Sequence, residues 1–287
     1  MRRRAAGLMR ALPLLCLLAT AMAACGEAAD SRAGSGTATF HERVAARLNV
    51  GDASGPLADA VWAVWLWFGD PEAYGRRGWR RSSVFDLDGA RKDLDEAIRR
   101  RPAYGFAYAS RGFVHRMALR LDLAEADLDE AVRLEPRWFD AYSLRSGLLL
   151  HRGDLLGARR DLDTALRLAP SGPALASRCL VAVRLDEEKA EARCEAAFAA
   201  RGERSHWAHL IQGGLLMLRN DLAGARRAVD ASIALLPRNP HALLLRGRLR
   251  SRGGDLDGGA ADIEAARSIL PSVDAVVEAL FGPLPGP

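Results

Sequence analysis

One stretch recurs along this chain at a fixed interval. It runs Asp-Leu-Asp-Gly-Ala-Arg-Lys-Asp-Leu-Asp-Glu-Ala-Ile-Arg-Arg-Arg-Pro from Asp86 to Pro102, and close copies end at Pro136 and Pro170. These prolines are 34 residues apart, and Pro237 and Pro271 repeat the interval. Such a period is that of a helix–turn–helix unit that cannot bury its apolar face alone and must stack on its neighbours. Each unit keeps a stripe of small and apolar residues. A small residue stands in the first helix at Gly78, Gly112, Ser146, Gly213 and Gly247. The second helix answers with Ala90, Ala124, Ala158, Ala225 and Gly259. Four residues on come Leu94, Leu128, Leu162, Val229 and Ile263, then three further Ala97, Ala131, Ala165, Ser232 and Ala266. These spacings put one stripe on one helix face, as two closely packed helices require.

On these residues the chain resembles the tetratricopeptide repeats, over about seventy per cent of its length. The resemblance implies an all-α, right-handed superhelical solenoid of about six hairpins, spanning 71–271. Tyr74, Tyr108 and Tyr142 match the family's aromatic position, whereas His209 and Leu243 depart from it. A second pattern accompanies the stripe. Arg77, Arg111, Arg145 and Arg246 are each followed sixteen residues later by Asp93, Asp127, Asp161 and Asp262. In the fifth unit both partners vanish together, as Gln212 and Ala228, which points to an Arg–carboxylate pair across the hairpin. Arg178 and Arg193 break the pattern in the fourth unit.

Residues 1–24 read as a secretory signal, with a basic start at Met1–Arg10 and a short apolar run at Ala11–Ala21. Met22-Ala23-Ala24-Cys25 resembles a bacterial lipobox, which implies lipid on Cys25; Gly26 after it implies the outer membrane, facing the periplasm. The formal charge of +5 includes Arg2, Arg3, Arg4 and Arg10, so the chain without its leader carries 5 − 4 = +1. That balance, with no basic stripe interleaved with aromatics, speaks against nucleic acid. Residues 25–39 form a Gly- and Ser-rich tether, and 40–70 an N-terminal helical cap burying Trp62 and Trp65. Residues 272–287 are expected to add a capping helix and a tail.

Nothing in the sequence carries recognisable chemistry. It lacks Gly-x-Ser-x-Gly, His-Glu-x-x-His, a phosphate-cradling glycine loop and Cys-x-x-Cys. His206 and His209 share a helix face but do not close a metal site. Gly254-Asp255-Leu256-Asp257-Gly258-Gly259 hints at a calcium loop, yet it falls where the hairpin turns, so Gly relieves the turn and Asp caps the next helix. No catalytic residue, cofactor, metal or small-molecule substrate is expected.

What remains is surface. In the family that the chain resembles, first helices line a concave groove for peptides. By register that face carries Trp79, Phe106, Phe113, Leu180, Trp207, Leu210 and Met217, with Arg116, Arg184, Arg248 and Arg252 beside them. Aromatics with arginine are the composition of recognition hot spots. The expected protein is a non-catalytic adaptor, lipid-anchored in the outer membrane, with a protein partner in an envelope complex. An assembly factor like the pilotin lipoproteins, or a cell-wall enzyme, stands as the alternative.

The fourth unit is irregular. It has no closing proline, and Pro170 to Pro237 is 67 residues, one short of two periods. The deletion falls either in the loop before Ser205 or in the hairpin turn at Leu185–Glu188. The second placement buries Phe198 and sets Cys179 opposite Cys194, within reach of a disulfide in an oxidising compartment. Two small buried thiols are the alternative.

Overall fold

The structure, a computed structural model, describes residues 69–188, 190, 194, 198 and 205–282. The leader, Cys25, the tether, Trp62 and Trp65, and the tail from 283 lie outside the described residues. Twelve α-helices are described: α1 (Pro71–Ser83), α2 (Leu87–Arg100), α3 (Gly105–Met117), α4 (Leu121–Leu134), α5 (Phe139–His151), α6 (Leu155–Leu168), α7 (Gly172–Arg184), α8 (His206–Leu218), α9 (Leu222–Leu235), α10 (Pro240–Arg252), α11 (Leu256–Ile269) and α12 (Val273–Phe281). Ala190, Cys194 and Phe198, beyond α7, are also helical. No strand occurs among the described residues.

The small-residue stripe sets how closely the paired helices approach. A Cβ added at Gly78 would meet Leu94 Cγ at 2.7 Å, and one at Gly112 would meet Leu128 Cγ at 2.7 Å. At Gly247 it would meet Ile263 at 2.7 Å and the Gly259 carbonyl at 2.8 Å. Each glycine therefore lets its partner's branched side chain close onto bare backbone, where the dispersion contacts of a dense interior are gained. Ala90, Leu94, Leu128 and Leu162 are wholly buried at these seams.

The turns follow a shared scheme. Asp86, Asp154, Asp221 and Asp255 each accept a hydrogen bond from the backbone N–H of Gly89, Gly157, Gly224 and Gly258, capping a second helix. Before two of these caps stand Gly153 and Gly254, at φ 75° and 89°. Gly254-Asp255 is thus a turn and cap.

The Arg–Asp pairs form as two-pronged bridges. Arg145 donates through Nε and Nη2 to the two oxygens of Asp161, at 2.8 and 2.9 Å. Arg77–Asp93, Arg111–Asp127 and Arg246–Asp262 repeat that geometry. The third prong was not expected: Arg111 Nη1 reaches back to Asp95 and Arg145 Nη1 to Asp129, at 2.8 and 2.9 Å. One guanidinium therefore pins its own hairpin and ties it to the preceding one. In the fourth unit Arg178 keeps only the backward tie, to Asp163 at 2.7 Å, and adds Glu187 at 3.1 Å.

Candidate functional site

The inner face of the array, lined by first helices, is not empty. Helix α12 turns back into it. Its apolar residues Val273, Val276, Val277, Leu280 and Phe281 recur at helical spacing and are all buried. They share one core cluster with residues of α5, α7, α8 and α10. The Phe281 ring fills the space over Gly214, which a Cβ would obstruct. Polar contacts hold both ends of the helix. Ser272 Oγ donates to the Met117 carbonyl at the end of α3. Arg248 Nη2 approaches Asp274 Oδ1 at 3.4 Å, and Arg267 donates to the same carboxylate. Arg184 Nη1 donates to the Ala279 and Leu280 carbonyls, at 2.6 and 3.2 Å, placing a cation at the negative end of the helix.

Ahead of α12 the inner face opens into a cavity of about 350 Å³. Trp79, Phe106, Phe113, Trp138 and Trp207 wall it, and Leu280 of α12 closes one side. The aromatic walls interlock edge to face: Trp79 and Phe113 lie 5.6 Å apart between ring centroids, Trp79 and Phe106 6.4 Å. Trp207 Nε1 donates to Ser177 Oγ at 3.0 Å, fixing its ring.

The cavity's buried cation is Arg116, only 6 % exposed. Its Cζ sits 5.3 Å from the centre of the Phe113 ring. It lies on α5 where Gly147 has no side chain; a Cβ there would be 3.3 Å away. Nη1 comes within 3.4 Å of His151 Nδ1, while the buried Nε has no partner. Burial pulls its pKa down to about 10. Three histidines stand in the same interior. Burial pushes His241 down to about 3, with Arg116, His151 and His206 adding to the shift. His151 falls to about 4, through burial first and Arg116 second. The imidazoles are thus neutral near pH 7 and leave Arg116 as their charged neighbour. Asp140 also lines the cavity; burial raises its pKa.

The residues assigned by register to the groove divide into three groups. Trp79, Phe106, Phe113, Arg116 and Trp207 meet at the cavity. Leu180, Leu210 and Met217 do not: each is 0 % exposed and belongs to the core cluster that includes α12. They do not lie on an open face, because α12, which the repeat register does not place, covers it. Arg184 and Arg248 are likewise engaged with α12, and Arg252 donates to Asn220 Oδ1 at 2.8 Å. Trp138, Asp140 and Leu280 line the cavity without having been singled out. Trp138 precedes α5 at the residue where a cap is expected, so its aromatic ring is the one signal that marked it.

Cys179 and Cys194 are joined by a disulfide, with Cα atoms 5.2 Å apart. Both are buried, in the first-helix small position and the facing leucine position of the other units. The turn after α7 runs through Leu185 and Asp186, and Phe198 packs against the main core. Among the described residues no group of three His, Cys, Asp or Glu could hold a metal ion, and no helix is long and apolar enough to cross a membrane.

No protein-family model matches the chain, and no curated protein does. Solved structures do. The Cut9 and Hcn1 hetero-tetramer of APC/C contains a chain matched over 74 % of this one and 43 % of its own length, at 15 % identity and a TM-score of 0.53. PilW, described as a widely conserved type IV pilus biogenesis factor, matches over 72 % of this chain and 96 % of its own, at 15 % identity and 0.49. YrrB, described as a TPR protein with an unusual peptide-binding site, matches over 65 % and 96 %, at 19 % identity and 0.38. The fold is a tetratricopeptide-repeat solenoid. At these identities the likeness shows that fold and leaves the function to the site.

Proposed function

We propose that this tetratricopeptide-repeat protein is a non-catalytic interaction scaffold that grips a protein partner through the cavity on its inner face. The observation that carries this reading is the aromatic cavity beside α12. Five aromatic rings and a buried arginine gather where the rest of the inner face is filled by the chain's own helix. Such a concave, largely apolar site with few polar groups is built to bury part of another molecule. The lipobox-like Met22-Ala23-Ala24-Cys25 supports the second half of the reading: lipid on Cys25 holds the scaffold in the outer membrane, facing the periplasm, beside an envelope complex.

A photo-crosslinking amino acid placed at Phe106 in the full chain, expressed in a Gram-negative host, tests the contact surface. The same amino acid at Lys92, exposed on α2, is the control. A protein adduct from position 106 that is absent from position 92 is expected; adducts from both or neither would reject the cavity as the contact. Mass spectrometry of membrane-extracted protein tests the anchor, and an unmodified Cys25 would remove it.

A further inference from the structure

Arg116 is a cation with no counter-ion. It is more than nine-tenths buried, and among the described residues no carboxylate lies within ion-pairing distance. Arg111, five residues earlier on the same helix, by contrast binds Asp95 and Asp127. A buried charge ordinarily demands a partner, since its desolvation is not otherwise compensated. Here the polar neighbour is a neutral imidazole at a long distance, His151 Nδ1. The guanidinium instead borders the aromatic cavity, cradled between the Phe113 ring and the bare Gly147 backbone. A planar, delocalised cation stacked on an aromatic face matches a carboxylate with its fork of donors.

We propose that the cavity binds a small organic monocarboxylate with a flat aromatic body, the carboxylate on Arg116 and the ring between Trp79, Phe106 and Trp138. The volume of about 350 Å³ is that of a small-ligand site. Leu280 lines the cavity beside Pro173, Ser177 and Trp207 of hairpins four and five, so past it the chain's own α12 occupies the path an extended segment would take. Asp140 in the same cavity selects against a second negative charge on the ligand, which argues for a carboxylate over a phosphate dianion. This site shares its walls with the proposed scaffold surface but does not depend on a protein partner.

Calorimetric titration of the full-length protein with indolepropionate and with its neutral amide tests the charge readout. The acid is expected to bind at least about tenfold tighter than the amide, the discrimination one charge-assisted bidentate contact supplies. Arg116→Met should erase the difference and Arg116→Lys restore part of it. Should Arg116→Met fail to fold, the acid–amide pair on the unaltered protein still decides. Equal binding of acid and amide, or no saturable binding of either, overturns the proposal. A third arm uses a blocked tetrapeptide carrying Trp-Glu; if it binds tighter than the free acid, the small-ligand assignment falls and the cavity belongs to a partner's side chain. Loss of the crosslink at position 106 with acid binding intact would remove the scaffold reading alone.

Discussion

In hairpins one to three, Arg77, Arg111 and Arg145 each bridge to the aspartate sixteen residues on; in hairpins four to six, among the described residues, only Arg246 does so at that register. The apolar cores differ in the same sense. The first hairpins hold separate small clusters, one around Leu94, Tyr104 and Val114 and another around Leu128, Ala141 and Leu148. A single larger cluster takes in Met117 and the Leu150, Ala158 and Leu162 seam of hairpin three and runs through α7, α8 and α10 to α12. Where the interior is divided into small packets, charged bridges fix the register of each unit. Where one extra helix gathers several units into one core, those bridges lapse at Gln212 and Ala228 without disturbing the helical pair. Arg and Asp in this array are therefore register pins, needed most where apolar burial is thinnest.

Three changes test that contrast. Phe281→Ala should have the largest effect, about 3–5 kcal/mol for a buried aromatic cut to a methyl group. Hydrogen exchange should speed up in α7, α8 and α10 while α2 and α4 keep their protection. If the first hairpins open equally, the two halves are one cooperative unit and the contrast fails. Asp161→Ala should cost about 1.5–3 kcal/mol, because it removes two charged hydrogen bonds from the Arg145 guanidinium and leaves it Asp129 alone. Its control is Asp230→Ala, which breaks the exposed Arg226–Asp230 pair and should cost under about 0.5 kcal/mol. Equal losses in denaturant titration would reduce the pins to surface decoration.

Near neutral pH the smallest effect is that of titration. His151 and His241 have folded-state pKa values of about 4 and about 3, below the ordinary histidine value. Unfolding then lets them take up protons as pH falls below about 6.5, so their contribution is full above that value and is lost progressively on the way down to their folded values. The melting temperature should fall across this window, and exchange should rise first around α5 and α10. His241→Gln should flatten the slope; an unchanged slope would mean that these imidazoles are hydrated in the native state.

The repeat, its close helical seams and its Arg–Asp bridges were legible because each is stated several times in register. A position that recurs as Gly78, Gly112 and Gly247 opposite Leu94, Leu128 and Ile263 reports its own packing. The backward ties to Asp95 and Asp129 were hidden inside the same repeat, since one aspartate pattern served two partners. The seat of α12 was not legible at all. Its apolar face at Val273, Val276, Val277, Leu280 and Phe281 is plain in the sequence, but an amphipathic segment that occurs once does not say which surface it meets. That missing destination is why Leu180, Leu210 and Met217 were placed on an open face, and why Trp138 and Asp140 were not drawn to the cavity.

The position of α12 at the very end of the repeats also sets a timetable. A ribosome delivers hairpins one and two complete with their own clusters and bridges, so they can settle as they emerge. Hairpins four to six wait for Phe281, which follows all of them in the chain, before Gly214 is covered and Arg184 finds its carbonyls. Until α12 has emerged, one part of the molecule is a finished solid and the other an unroofed one, whose bare leucines a holding chaperone would recognise.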